Sequence, residues 1–277
     1  MFQGKEILLA TMHQKELAIQ PEFERHFGCK IILPQNYDTD QFGTFCGEKK
    51  RYMTAREMVV HKAKTASQQY GYPLSMATEA SFGAHPIIPL MPFHEEFMVF
   101  LNTTDNIEII VKKQTNQTNY GFAEFEKGDD YSFFLFTHSF PSHALIVRTL
   151  STNEVIAKGI NSVDKLNTAL EAAFKSSPRV RLETDMRALF NPTRMQIIRE
   201  LTLDLINRIE SSCPRCSTYG FGEIHVTGHL PCSDCGFDTT LYQNIIEKCV
   251  RCDYHISKPR GDKLYRADPA YCNHCNP

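Results

Sequence analysis

Over the first 210 residues short apolar runs alternate with longer amphipathic stretches, a pattern that predicts strands and helices in turn. EILLAT (6–11) reads as a strand buried on both faces, and CKIILP (29–34) as a second. Between them KELAIQPEFERHFG has helical spacing, with Pro21 interrupting or restarting it. Thr54 and Glu57 form a capping box that opens a helix running to about Tyr70, closed by Gly71. YPLSMAT (72–78) predicts a third strand that ends there and releases Glu79 just past its C-terminal end. Further strands are expected at 95–102, 107–114, 131–137, 144–150, 155–160 and 179–184, and a helix at 162–176 from Ser162. A last helix starts at Asn191 as N-cap with Pro192 in its first turn, and carries Met195, Ile198, Leu205 and Ile209 as its apolar stripe. The fold class is therefore α/β, a mixed sheet with flanking helices, over about residues 1–210.

Composition adds limits. The 277 residues are 42% hydrophobic and 22% charged with a net charge of −2, so no basic field recruits nucleic acid or anionic membrane. No apolar run reaches the length of a membrane span, and charges break the apolar stretch at the N-terminus, so a cytoplasmic protein is expected.

The pattern changes after residue 210. Eight of ten cysteines fall in four CxxC pairs within the last 65 residues: Cys213 and Cys216, Cys232 and Cys235, Cys249 and Cys252, Cys272 and Cys275. Thiolates in such turns suit tetrahedral Zn²⁺, and two turns complete a closed, structural site. A double zinc-ribbon module over 211–277 with two Zn²⁺ follows. The pairing taken is sequential, first turn with second and third with fourth, with the nested arrangement as the alternative. Seven basic and seven acidic residues balance from Cys213 onward, and only 248–266 forms a basic strip, so a docking module is favoured over a nucleic-acid binder.

In residues 6–83 a strand ends in ATMHQK, a loop holds GTFCGE, a helix carries HKAKTA and a strand ends at ATEASFG. This order resembles the inosine triphosphate pyrophosphatase-like group. The resemblance implies that Thr11 and Lys15 hold phosphate, that Lys62 is the helix lysine, and that Glu48 and Glu79 hold Mg²⁺. His13 stands where that group has asparagine, and Thr78-Glu79 replace its acidic pair. Asp38 and Asp40 lie in the preceding loop and add charge.

The whole chain is similar to an uncharacterised bacterial domain-of-unknown-function family, through ATMHQKE, DTDQFGTFCGE, EASFGAHP, FPSHALIV, TDMRALFNPTRM and CNHCNP. That resemblance brings no activity with it. Among remaining candidates, His13, His85 and His143 sit in turn-forming surroundings and are possible acid/base groups. Arg187 and Arg194 flank a helix start where they either clamp phosphate or, through Asp185, hold the junction together. Cys46 has no histidine at a fixed local spacing and is set aside as a nucleophile. The reading is a Mg²⁺-dependent hydrolase of nucleotides or other phosphorylated small molecules, with Glu79, His13, His85 and Asp40 as catalytic candidates. The alternative is a non-catalytic zinc-ribbon protein that docks on protein or nucleic acid.

Overall fold

The first apolar run becomes β1 (Glu6–Ala10), in which Ile7, Leu8, Leu9 and Ala10 are all buried. A strand covered on both faces needs apolar residues in succession, which this run supplies. The computed structural model describes residues 1–43, 52–86 and 88–277, the Asp40 side chain excepted. The chain divides into two units, Met1–Ile206 and Asn207–Pro277. Among the described residues no helix is long and apolar enough to cross a membrane.

In the first unit β1 is followed by α1 (Glu16–Phe27), β2 (Lys30–Ile32), α2 (Ala55–Tyr70), β3 (Leu74–Ala84), β4 (Pro92–Asn102) and β5 (Ile107–Thr115). The strand order is β2-β1-β3-β4-β5, with β1 parallel to both neighbours and β3, β4 and β5 antiparallel. The connection through α1 carries the chain from β1 to β2 on one side, and that through α2 carries it back past β1 to β3 on the other, so the order reverses between β1 and β3. Ligands in open α/β sheets bind at the C-terminal ends of strands at such a reversal. On one face α2 packs Val59, Ala63 and Ala66 onto Leu8, Ala10, Ala77 and Val99. On the other, Phe100 meets Phe2, whose ring meets Phe27 of α1. Pro21 lies inside α1 without ending it, and Gly28 closes the helix at φ 60°.

Three expectations change here. β3 does not stop at Thr78: it pairs with β4 without a break from Leu74↔Asn102 to Ala84↔Pro92, so Glu79 lies mid-strand opposite Phe97. Ser81 and Gly83 read locally as a turn, but the continuous ladder with β4 overrides that signal. The expected strand at 131–137 is a short helix, α3 (Ser132–Thr137). Asp130 accepts the Ser132 amide at 2.8 Å and starts the turn, after which only Phe134 is buried while Phe133 and Phe136 face solvent. The α/β unit also holds a second sheet instead of one. Its strands β6 (Phe122–Glu126), β7 (Leu145–Thr149), β8 (Val155–Ile160) and β9 (Arg179–Thr184) take the antiparallel order β6-β9-β7-β8. One face packs Leu145, Val147, Val180 and Leu182 against Leu166, Leu170 and Ala173 of α4 (Val163–Ser176). Asn191 caps α5 (Pro192–Glu210) by accepting the Arg194 amide at 2.9 Å.

The second unit is an antiparallel meander of β10 (Gly222–Thr227), β11 (Asn244–Lys248) and β12 (His255–Pro259). Its buried residues are chiefly four cysteines (Cys213, Cys232, Cys249 and Cys272) with Phe221, Leu230 and Ala267.

Candidate functional site

β1 pairs with β3 only as far as Ala10↔Ala77, so beyond Ala77 the edge of β3 on that side has no strand partner among the described residues. The chain leaves β1 through Thr11 and turns with His13 and Gln14 at φ 66° and 58°. Two successive non-glycine residues in the left-handed region cost about 1–3 kcal/mol each, so the surroundings must hold this turn. It delivers Lys15, whose Nζ donates to Thr78 Oγ1 at 2.7 Å and to the Thr78 carbonyl at 3.4 Å. One residue along, Glu79 Oε2 accepts from Lys62 Nζ of α2 at 2.5 Å. Successive strand residues point to opposite faces, so the two lysines reach β3 from opposite sides.

Thr78, Ala80 and Phe82 share a face with His94 and Glu96 of β4. Glu96 is fully buried and accepts Arg194 Nε at 2.9 Å, a terminal guanidinium nitrogen of Arg194 at 3.0 Å, and His94 Nε2 at 2.9 Å. Arg194 also donates to the Met186 carbonyl at 2.7 Å and lies over the Phe82 ring, on which His94 stacks. Burial opposes ionisation of Glu96, but the Arg194 charge and the hydrogen bonds from His94 and Arg194 outweigh it and hold the carboxyl well below its usual range. Neither His94 nor Glu96 was singled out from the sequence.

Lys15 differs from these paired groups. Among the described residues no carboxylate lies within ion-pair distance of its ammonium, and the residue as a whole is 7% exposed. Burial, reinforced by the Arg194 charge, pushes its pKa down to about 7, against the pull of Glu96 and Glu79.

Other sequence candidates are distributed as follows. Thr11 follows β1 and donates its hydroxyl to the Met12 carbonyl. The loop after β2 reaches this turn through Thr39, whose amide meets Met12 Sδ, and Tyr37 donates to the Lys62 carbonyl. Glu48, Cys46 and the Asp40 side chain lie outside the described residues. His85 follows β3, six residues or about 20 Å of extended chain from Glu79, where Nδ1 accepts the Ile88 amide. His143 Nε2 accepts the Thr193 amide in the first turn of α5, and burial lowers its pKa. Arg187 folds back on Asp185, which also accepts the Gly159 amide.

The cysteines assemble two groups of four: Cys213, Cys216, Cys249 and Cys252, and Cys232, Cys235, Cys272 and Cys275. Within each, the four sulfurs lie within 4.8 Å of one another. Sulfur separations of 3.5–3.9 Å match the ~3.8 Å edge of a tetrahedron with metal–sulfur bonds of ~2.3 Å. Two zinc-like sites result, and the Arg251 and Cys252 amides point at Cys249 Sγ. The pairing is neither sequential nor nested but interleaved, first turn with third and second with fourth. β10 carries the chain about 20 Å away before the second turn, and its pairing Gly222↔Lys248 returns β11 beside the first. The bridge Cys232↔Ala267 brings the fourth turn to the second. Among the described residues these are the only groups of three or more histidine, cysteine or carboxylate side chains placed to share an ion. Glu79, expected to hold Mg²⁺ with Glu48, pairs with Lys62, and Glu48 lies outside the described residues.

A family model described as a domain of unknown function (DUF6671) matches residues 62–277, well over half of the chain. The chain belongs to this family. The DUF6671 match takes in Lys62, Glu79, Glu96, Arg194 and all eight ribbon cysteines, but starts after Lys15. It lends no support to the partial resemblance of residues 6–83 to the inosine triphosphate pyrophosphatase-like group. No curated protein matches the chain.

Proposed function

We propose that the first unit binds a phosphorylated small molecule, a nucleotide in the form read from the sequence, at the C-terminal ends of β1 and β3. The observation that carries this reading is the Lys15 ammonium, buried without a carboxylate partner among the described residues at the point where the strand order reverses. An uncompensated buried charge is costly, and an anionic ligand supplies what the protein withholds. The start of α1 points the same way. No side chain caps it, and although the Leu17 and Ala18 amides turn back to the Gln14 and Lys15 carbonyls, the positive end of the helix dipole favours an anion there. Lys62 and Glu79 serve as a fixed pair across the strand, while Arg194 serves as a clamp on Glu96. Hydrolysis of the phosphate linkage is the activity attached to this reading. Mg²⁺ forms no part of it, because among the described residues no group of three or more carboxylate, histidine or cysteine side chains is placed to share an ion there. The second unit is a module held by two metal ions.

Calorimetric titration of the full chain with a panel of nucleotides and sugar phosphates tests the proposal. Run near pH 8 in two buffers of different ionisation enthalpy, binding should take up close to one proton, because the bound anion raises the pKa of Lys15. Lys15→Met should abolish both binding and uptake. Tight binding without proton uptake, or binding that survives in Lys15→Met, would remove Lys15 from the site. Phosphate release by the purified protein tests the hydrolytic step separately.

A further inference from the structure

The charges around Lys15 limit how many phosphate groups a ligand can bring to it. Those felt most strongly by its ammonium belong to Arg194, Glu96, Glu79 and Lys62. These four are buried and cancel in pairs. Arg194 holds both Glu96 oxygens, at 2.9 and 3.0 Å, and Lys62 holds Glu79 at 2.5 Å. Three cations thus stand against two carboxylates, and the surplus of one positive charge rests on Lys15, which donates to uncharged Thr78.

The main chain beside Lys15 points to the same number. Gln14 is left-handed at φ 58°, and Lys15 follows in the right-handed region at φ −66° and ψ −21°. A left-handed residue next to a right-handed one turns successive amides towards one side, a concavity that receives an anion. The amides of Leu17 and Ala18 close on the Gln14 and Lys15 carbonyls, whereas those of Gln14, Lys15 and Glu16 donate to no acceptor among the described residues. Three amides in a row suit the oxygens of one phosphate group. Glu16, the next residue along, is partly exposed and adds a carboxylate, not a second cation.

A second phosphate group would carry further negative charge into surroundings whose other cations, Arg194 and Lys62, are already held by Glu96 and Glu79. Charge taken out of water without a partner is costly, so each added group weakens binding instead of strengthening it. We propose that the Lys15 site selects a ligand with a single phosphate group, a phosphomonoester such as a nucleoside or sugar monophosphate, and rejects di- and triphosphates. This rests on the phosphate reading of Lys15 and narrows its substrate class. Selectivity of this kind follows from the charge balance of five named side chains, and altering that balance by one charge alters the selectivity.

Titration calorimetry of the full chain at pH 8 tests it, with inorganic phosphate, pyrophosphate and tripolyphosphate and with the mono-, di- and triphosphates of adenosine. Inorganic phosphate should bind at one site per chain, at least tenfold more tightly than pyrophosphate or tripolyphosphate. The adenosine series should fall in the same order, with and without Mg²⁺. Glu79→Gln keeps an acceptor for Lys62 but removes one negative charge, so it should narrow the gap between phosphate and pyrophosphate fivefold or more. A merely structural role for Glu79 would move both affinities together. Far-UV circular dichroism reports whether the variant folds, and the parent series decides alone if it does not. Affinity that rises with the number of phosphate groups overturns the single-phosphate assignment and leaves Lys15 as a phosphate ligand. A folded Glu79→Gln with an unchanged ratio overturns the charge balance as its cause. If none of the six probes binds, or if binding survives in Lys15→Met, the phosphate reading itself falls.

Discussion

The two units solve the problem of a stable interior with opposite materials. The first buries a large apolar core around two sheets and can then hold charges inside it, including Glu96 and Arg194 at 1% exposure or less. The second has a small apolar core and places thiols where a larger domain would place leucines. A core of that size supplies only a few kcal/mol below about 70–80 residues, so metal bonds must supply the rest. The contrast separates interactions by origin: hydrophobic burial organises the first unit, and the second gathers two groups of four cysteines placed to hold metal.

Metal removal breaks the comparison most strongly. The protein as isolated should carry close to two Zn²⁺ per chain by elemental analysis. Each structural zinc contributes on the order of 10–16 kcal/mol of binding free energy, so chelation should unfold residues 207–277 while the first unit keeps its slow hydrogen exchange. Interleaving adds a finer expectation. Cys213→Ser should release the third turn (Cys249, Cys252) to alkylation and leave Cys232, Cys235, Cys272 and Cys275 protected. Exposure of the second turn instead would restore sequential pairing.

Removing one partner of the buried ion pair comes next. Arg194→Met leaves Glu96 buried without its guanidinium and should cost about 3–5 kcal/mol in urea unfolding followed by the far-UV circular dichroism of the first unit's helices. The double variant Arg194→Met, Glu96→Leu should recover much of that loss, because no uncompensated charge remains. If the single variant unfolds within 1 kcal/mol of the parent, the Glu96–Arg194 pair is not what the first unit depends on.

These two predictions also mark what was legible in the sequence. The cysteine turns of the two zinc-like sites were legible because a CxxC turn is local, while their pairing is set by the register of β10 and β11, which no spacing records. The helices with local caps, at Thr54, Ser162 and Asn191, read correctly for the same reason. Lys15 was reached through a short motif, yet its partner Thr78 is 63 residues away, and Arg194 meets Glu96 across 98. The buried acid had a faint signal. In HEEFMVFLN, His94 and Glu96 alternate in phase with Met98 and Phe100, which places them on a buried face of β4. The extension of β3 past Glu79 had none, since it comes from β4 and not from residues 79–84.

The smallest effect asks whether the first unit carries a charge that only a ligand would justify. With its pKa at about 7 in the folded chain and the ordinary 10.5 when unfolded, Lys15 binds fewer protons folded than unfolded between those values. Unfolding then takes up a proton, and stability rises with pH across that window by at most ~1.4 kcal/mol per unit from this group. Below pH 7 both states are protonated and the slope from Lys15 vanishes. Lys15→Met should remove that part of the slope and leave the first unit more stable near pH 7, because a desolvated amine is replaced by an apolar chain of similar length. Thr78 would then lose its donor, a cost of about 1–3 kcal/mol that partly offsets the gain. Urea midpoints measured from pH 6 to 10 on parent and Lys15→Met separate these terms, since the Thr78 cost is independent of pH and the Lys15 term is not. Parallel curves for the two proteins would mean that Lys15 keeps its proton in the folded chain and has a compensating partner.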